Sequence, residues 1–451
     1  MVVRFRRFLI LGTFAALLSC DQTEKESKSF QDFPFTEDHW RVENEDETTG
    51  EIDTLLYKGK LALKLGPNQK AYLKNKNYKN FVLEFYCNGL SAPGFGFRLK
   101  DKQNFEYLYL RLGLSEKKDA LQYLPIYNGS LPWQLYNYPK YEGQAEFPRE
   151  EVATLPQGLR QELVDGKASD TLRSFLKNKR FSFSEAAEVI TGDDVNYIFD
   201  PEEMKVLLFV EVNNKITFLD SRTWIHVKVE VKGDMAVFYI EDMERSAFVV
   251  EHLKRDPIAG GISLVSDAFG VYFSNVSIAE LKETKEEVYQ EKPSTNYVTE
   301  WKVSKMFAKD SLKFAFQLDS VIQNKNKFKT IHTDEDGLLN ISRFYDDMTK
   351  TIVLSCNLES DVNREVKLEF DYADHLVLFL NSEIVFDKGM NFKPPADKGM
   401  EGRVFVNDES VMLDLKQGAN RLDFMLSADN RQKFNWGIIA RLADTDGLKF
   451  N

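Results

Sequence analysis

The sequence predicts an all-β chain of two β-sandwich domains, the first carrying a mainly helical insertion, and three observations predict it. Residues 224–281 alternate apolar and polar positions. Val227, Val229 and Val231 stand against Lys228, Glu230 and Lys232, the period-2 signature of a strand with one wet face. A polar turn at Lys232-Gly233-Asp234 breaks the run, Ala236, Phe238 and Ile240 resume the alternation, and Gly260-Gly261 opens the next strand. Aromatic residues make up 13% of the chain, with 35 Phe and 18 Tyr, a usage that suits packing on pleated sheets. The 224–281 strands cannot bury an apolar face alone, so residues 33–148 are expected to supply their partners.

Length and charge bound the rest. A chain of 451 residues with 43% hydrophobic content has room for two or three domains. A net charge of −12 repels a phosphate backbone and argues against a nucleic-acid partner. Three cysteines make neither a disulfide framework nor a zinc set, and Cys87 and Cys356 lie in apolar runs that read as buried thiols.

The N-terminus reads as an address. Arg4, Arg6 and Arg7 precede an apolar run at 8–18, too short to span a bilayer comfortably. Leu17-Leu18-Ser19-Cys20 resembles the bacterial lipoprotein lipobox. The resemblance implies cleavage after a signal peptide at 1–19, acylation of Cys20, and attachment to a membrane of the bacterial cell envelope. Residues 20–32 are polar and charged, as a solvated tether should be.

The first domain is expected over 33–281. It opens at Trp40-Arg41-Val42-Glu43, and strand patterns follow at 57–65, 81–87, 94–99 and 105–112. The segments FRLKDKQNFEYLYLR, DALQYLPIYNGSLPWQLYNYPKYEGQAEFP, TWIHVKVEVKGDMAVFYI and GVYFSNVSI occur in this order. Together they resemble secreted bacterial concanavalin A-like, laminin-G-like domains, over 33–148 and 222–281. The resemblance implies a jelly roll of two curved antiparallel sheets, a fold shared by lectins, glycan-binding modules and glucanases. The intervening residues 149–221 read as an insertion, helical at 158–163, 169–178 and 184–190 and strand-like at 205–212. Ser182 with Glu185 fits a capping box, and Asp200-Pro201-Glu202-Glu203 fits a helix start.

A charged linker at 282–295 leads to the second domain, 296–451. Strand patterns fall at 314–318, 337–342, 351–356, 366–370, 376–380, 384–386, 411–415, 421–426 and 434–442. The pieces EWKVS, VLFLNSEIVF, LDLKQGANRLDFML and FNWGIIARL resemble galactose-binding-like β-sandwich modules, with Ser382 where that family usually has Gly.

Chemistry is sparse. Glu51-Ile52-Asp53 starts like the carboxylate motif of hydrolytic relatives, but Thr54, Leu55 and Leu56 follow. The five histidines are scattered, and no nucleophile elbow or phosphate loop occurs. The acidic turns at 334–337 and 444–447 could hold Ca²⁺, although solvated turns explain them better, and no other cofactor is expected. The notable stretch is 123–141, where Tyr123, Tyr127, Trp133, Tyr136, Tyr138 and Tyr141 surround Asn128, Gly129 and Pro132. Flat rings stack on sugar faces, while Asn and Arg bond hydroxyls. The expected ligand site is therefore Tyr123, Tyr127, Asn128, Trp133 and Tyr136, with Arg98, Tyr109 and Arg111 on strands near the concave face. For the rings the alternative is packing beneath the loop, and for the arginines a structural ion pair. The expected function is non-catalytic carbohydrate binding by an envelope lipoprotein. The rivals are a keto-sugar hydrolase of the same superfamily and a structural protein that binds only protein partners.

Overall fold

The computed structural model describes residues 29–89, 92–164, 166–191, 196–202, 205–220, 222–267, 269–282, 296–308, 328–334, 336–347, 349–389, 403–427 and 436–450. Cys20, the signal peptide, most of the tether and linker, and the strand expected at 314–318 lie outside them. The described chain is an all-β sandwich fold built from antiparallel sheets.

Two eight-stranded sheets form the first sandwich. One runs in the order Phe248–Val250, Met235–Ile240, Ile225–Lys232, Phe81–Gly89, Val271–Glu280, Lys60–Leu65, Asp53–Tyr57, with Gln31–Asp32 on the side. The other runs Glu142–Gly143, Leu121–Ile126, Asn104–Leu110, Gly94–Asp101, Gly261–Val265, Lys70–Leu73, Trp40–Glu43, Thr49–Gly50. The alternation seen in sequence decides which side chains go inward. Ile225, Val227, Val229 and Val231 are buried while His226, Lys228 and Glu230 are half-buried. Their partner is Phe81–Gly89, with Val227 opposite Phe85 and Val229 opposite Leu83. Phe81, Leu83, Phe85 and Cys87 then meet Phe95, Phe97 and Leu108 of the facing sheet in one core. Each such fully buried side chain contributes about 1.5–3 kcal/mol over its exposed state.

The insertion departs from expectation: it is mainly strand. Its six-stranded antiparallel sheet runs Glu150–Thr154, Lys215–Asp220, Lys205–Val212, Asn196–Asp200, Glu188–Ile190, Gly166–Lys167. The helix at Asp170–Asn178 forms as expected, with Ser169 capping the N–H of Leu172, and residues 157–162 make a 3₁₀ turn. The stretch 184–190 is not helical. The Asp200 carboxylate takes both the backbone N–H and the hydroxyl of Ser184, and Val189 pairs with Ile198 in the sheet. Tertiary burial of Ala187 and Val189 thus outweighs a local helical preference. Asp200 closes that strand instead of capping a helix.

The second sandwich pairs an eight-stranded sheet with a four-stranded one. Trp301, Leu354 and Phe424 of the first pack against Phe370, Trp436 and Ile438 of the second. The hairpin His375–Leu380 to Glu383–Gly389 turns at Asn381 and Ser382, with φ of 51° and 75°. The two sandwiches are docked. Leu338, Ala373 and Val404 join the core of the first, and a Cβ on Gly437 would lie 2.7 Å from Leu135.

Candidate functional site

The aromatic loop lies at the seam between the sandwiches, which corrects the expectation of an open sugar platform. Tyr123 and Tyr136 are fully buried. Tyr123 donates its hydroxyl to Glu106 at 2.7 Å and accepts the N–H of Lys254. The Tyr136 hydroxyl meets Asn340, and Asp334 at 3.5 Å. Tyr127 donates to the carbonyl of Lys254 beneath the guanidinium of Arg255. Asn128 donates to the carbonyl of Ser342, and Trp133 lies half-buried under Arg403. The physical reason is twofold: groups of the first sandwich take up Tyr123 and Tyr127, and the edge of the second sandwich meets Asn128, Trp133 and Tyr136.

The strand residues are also committed. Arg98 is 1% exposed and donates to the carbonyls of Lys79 and Gly233. Tyr109 bonds Gln122, and Arg111 sits between Asp119 at 3.2 Å and Glu142 at 3.1 Å. Arg403 from the second sandwich closes the same cluster by pairing with Glu142 and Asp119. Two guanidinium groups and two carboxylates thus neutralise one another across the seam. The acidic turn at 334–337 belongs here too: Asp334 pairs with Arg343, and Asp336 accepts from Tyr141. Among the described residues, no group of three or more His, Cys, Asp or Glu side chains could hold a metal ion.

An open hollow lies elsewhere in the first sandwich. It measures about 380 Å³ and is lined by Tyr57, Lys64, Asn88, Lys205, Arg222, Phe269 and Tyr272, with the glycines 66, 89 and 270. Strand register builds it. Lys64 pairs with Tyr272, and Tyr272 pairs with Asn88, so the three form a row across adjacent strands on the face opposite the core. Tyr57 stacks on Tyr272 with centroids 4.0 Å apart, and Trp224 meets Tyr57 edge-on. The insertion contributes Lys205, while Arg222 stands at its exit. Its stem is pinned to the sandwich by Lys58, whose ammonium donates to the carbonyl of Arg222 and faces Asp220 and Glu150. Phe199 of the insertion meets Phe269 edge-on and holds the other wall. Gly270 has φ of +79°, and a Cβ there would sit 3.0 Å from the Leu65 carbonyl, so this wall stays bare backbone.

Sequence reasoning missed this set because its members come from strands far apart in the chain. A signal was present: Tyr272 stands out of phase with Val271 and Phe273, an aromatic ring at a wet strand position. A second, wider hollow near Phe35 and Arg41 is floored by Trp40, whose ring is fully buried and whose indole N–H bonds the Phe33 carbonyl. Its aromatic linings, Phe35 and Trp40, meet tilted with centroids 5.7 Å apart, and Trp40 is sealed from solvent.

No protein-family model matches the chain, and no curated protein does. Among solved structures it is similar to a carbohydrate binding module, CBM66, from Bacillus subtilis, at 14% identity and TM-score 0.27, over 55% of this chain and 100% of that one. It is also similar to two proteins of Parabacteroides distasonis described as candidate glycosyl hydrolases. These show 12% and 11% identity and TM-scores of 0.26 and 0.27, over 54% and 56% of this chain and 89% and 100% of theirs. Scores of this size carry no argument about ligand or activity.

Proposed function

We propose that this chain is a lipid-anchored protein of the bacterial envelope that binds carbohydrate, without cleaving it, in the hollow between the first sandwich and its insertion. One observation carries the reading. Tyr57 and Tyr272, both half-buried, make an aromatic wall in a hollow that also presents Lys64, Asn88, Lys205 and Arg222, glycine backbone, and the apolar Leu65, Pro67, Phe269 and Val271. An apolar face for a sugar ring, with donors around it, is what carbohydrate recognition requires.

The carboxylate pair at the insertion stem supports a hydrolase less well. Glu150 and Asp220 both face the Lys58 ammonium, at 3.7 and 3.6 Å, so their carboxylates lie no more than roughly 7 Å apart. Burial pushes the Asp220 carboxyl up, but hydrogen bonds from Arg222 outweigh it and hold the group below the usual carboxylate range. Asp220 held ionised could act only as nucleophile or base and not as the proton donor, and neither residue lines the hollow.

The test is affinity electrophoresis of the full chain in detergent through gels carrying a panel of polysaccharides. Retardation by at least one polymer is expected, abolished by Tyr272→Ala and retained by Tyr138→Ala, an exposed ring on the loop. No retardation by any polymer, or loss with Tyr138→Ala alone, overturns the reading. Release of reducing sugar during the run would favour the hydrolase. The anchor is tested separately: fatty-acid label should enter the wild-type chain and not Cys20→Ala.

A further inference from the structure

We infer that the hollow selects a sugar bearing an anionic group, a carboxylate or a sulfate; this deepens the carbohydrate reading and rests on it. The charge of the lining is the first ground. Among the described residues, Lys64, Lys205 and Arg222 line the hollow and no Asp or Glu does. This is a local reversal in a chain of net charge −12. The carboxylates that pair with Lys64 and Arg222, Asp53 and Asp220, stand outside the lining. Lys64 faces Asp53 at 3.8 Å with both side chains about half exposed, a loose contact that a ligand anion can replace. Arg222 gives Nε and Nη2 to Asp220, and that fork leaves Nη1 out. Its guanidinium acts electrostatically on both Tyr57 and Tyr272, so the charge lies beside the aromatic wall and not on a distant rim.

The second ground is independent of charge. Asn88 lines the same hollow, is fully buried, and has neither its amide nitrogen nor its amide oxygen in a hydrogen bond. Buried amides of native proteins are normally satisfied, so an amide unbonded on both atoms beside a hollow calls for a partner from outside the chain, water or ligand. One amide offers a donor and an acceptor together, which matches a sugar hydroxyl next to an oxyanion. Asn88 also neighbours Tyr272 in strand register, so the ring wall, the amide and the Lys64 ammonium meet in one row.

The experiment is affinity electrophoresis of the full chain at fixed ionic strength against matched polymers. Polygalacturonate and its carboxyl-reduced form test the carboxylate, and dextran sulfate and dextran test the sulfate. Retention by one acidic polymer is expected to exceed its neutral counterpart by at least about tenfold, three cations acting together. Lys64→Gln and Lys205→Gln should each weaken that retention about two- to fivefold, and Lys64→Arg should restore it. Lys416→Gln, on the second sandwich, should leave it unchanged. Equal retention by charged and neutral polymers overturns the charge selection while sparing the carbohydrate reading. Equal loss with Lys416→Gln overturns it as diffuse electrostatics. No retention by any polymer overturns both.

Discussion

Removing the Arg403 guanidinium should unlock the two sandwiches, and the structure sets the size of the effect. Glu142 has no side-chain exposure, and its carboxylate accepts from Arg403, Arg111 and the N–H of Tyr138. Arg403 reaches Asp119 as well, at 3.1 Å. Breaking a buried pair by deleting one partner costs about 3–5 kcal/mol, because the surviving charge is left uncompensated. Here Arg111 and Tyr138 still hold Glu142, so Arg403→Met is expected to cost about 2 kcal/mol. The single change Glu142→Gln leaves two guanidinium groups facing Asp119 alone and should cost a similar amount. Combined, the two substitutions should be less damaging than their sum, with a coupling of about 1–3 kcal/mol. Urea unfolding followed by tryptophan fluorescence measures it, since Trp133 lies 5.8 Å from the Arg403 guanidinium and reports the seam. Additivity to within about 0.5 kcal/mol would refute the docking described above.

Three further outcomes follow from other sites. Burial raises the carboxyl of Glu106 from 4.5 to about 7, against hydrogen bonds from Tyr123 and Arg255 that lower it. The folded state therefore binds the proton more tightly than the unfolded chain, and this contribution to stability is complete below about 4.5 and lost as pH rises through 7. Glu106→Gln should gain in thermal midpoint relative to wild type between pH 5 and pH 8; a constant difference across that range would refute the assignment. Gly96→Ala places a Cβ 2.6 Å from Ser263 Oγ and 2.9 Å from the Phe105 ring, and should cost about 1–3 kcal/mol in urea unfolding. Ser382→Gly relieves a positive φ in a two-residue hairpin and should raise stability by about 0.5 kcal/mol, less than the full backbone gain because the Arg421 bond to Ser382 Oγ is lost.

What was legible in the sequence was what neighbours in the chain decide. Alternation at Val227, Val229 and Val231 fixed the face of that strand, and Gly233 supplied the positive φ of its turn. The second sandwich yielded most of its strands for the same reason, from Lys350–Ser360 to Gly437–Leu442. The insertion was misread at 184–190 because its Ser, Ala and Glu content suits a helix, whereas the deciding contact, Asp200 on Ser184, comes from 16 residues on. The hollow was invisible as a unit. Tyr57, Lys64, Asn88, Arg222 and Tyr272 become neighbours only through the order of strands in one sheet and the position of the insertion stem.

The two aromatic clusters show why ring content alone cannot assign a sugar site. A buried tyrosine must place its hydroxyl on a partner, so a loop of tyrosines suits the polar edge of another sandwich at least as well as it suits a ligand. In the loop those partners are already supplied: Glu106 for Tyr123, the Lys254 carbonyl for Tyr127, Asp336 for Tyr141. Inserting a sugar there would break these bonds and reopen a core that includes Leu135 and Val404. At the hollow the ledger runs the other way. The ring wall is half open, and the amide of Asn88 is unbonded on both atoms, so a ligand adds contacts without dismantling any described here except the loose pair of Lys64 and Asp53. These contacts favour the hollow at Tyr57 and Tyr272 over the loop as the proposed carbohydrate site, and they make the loop a joint between the two sandwiches.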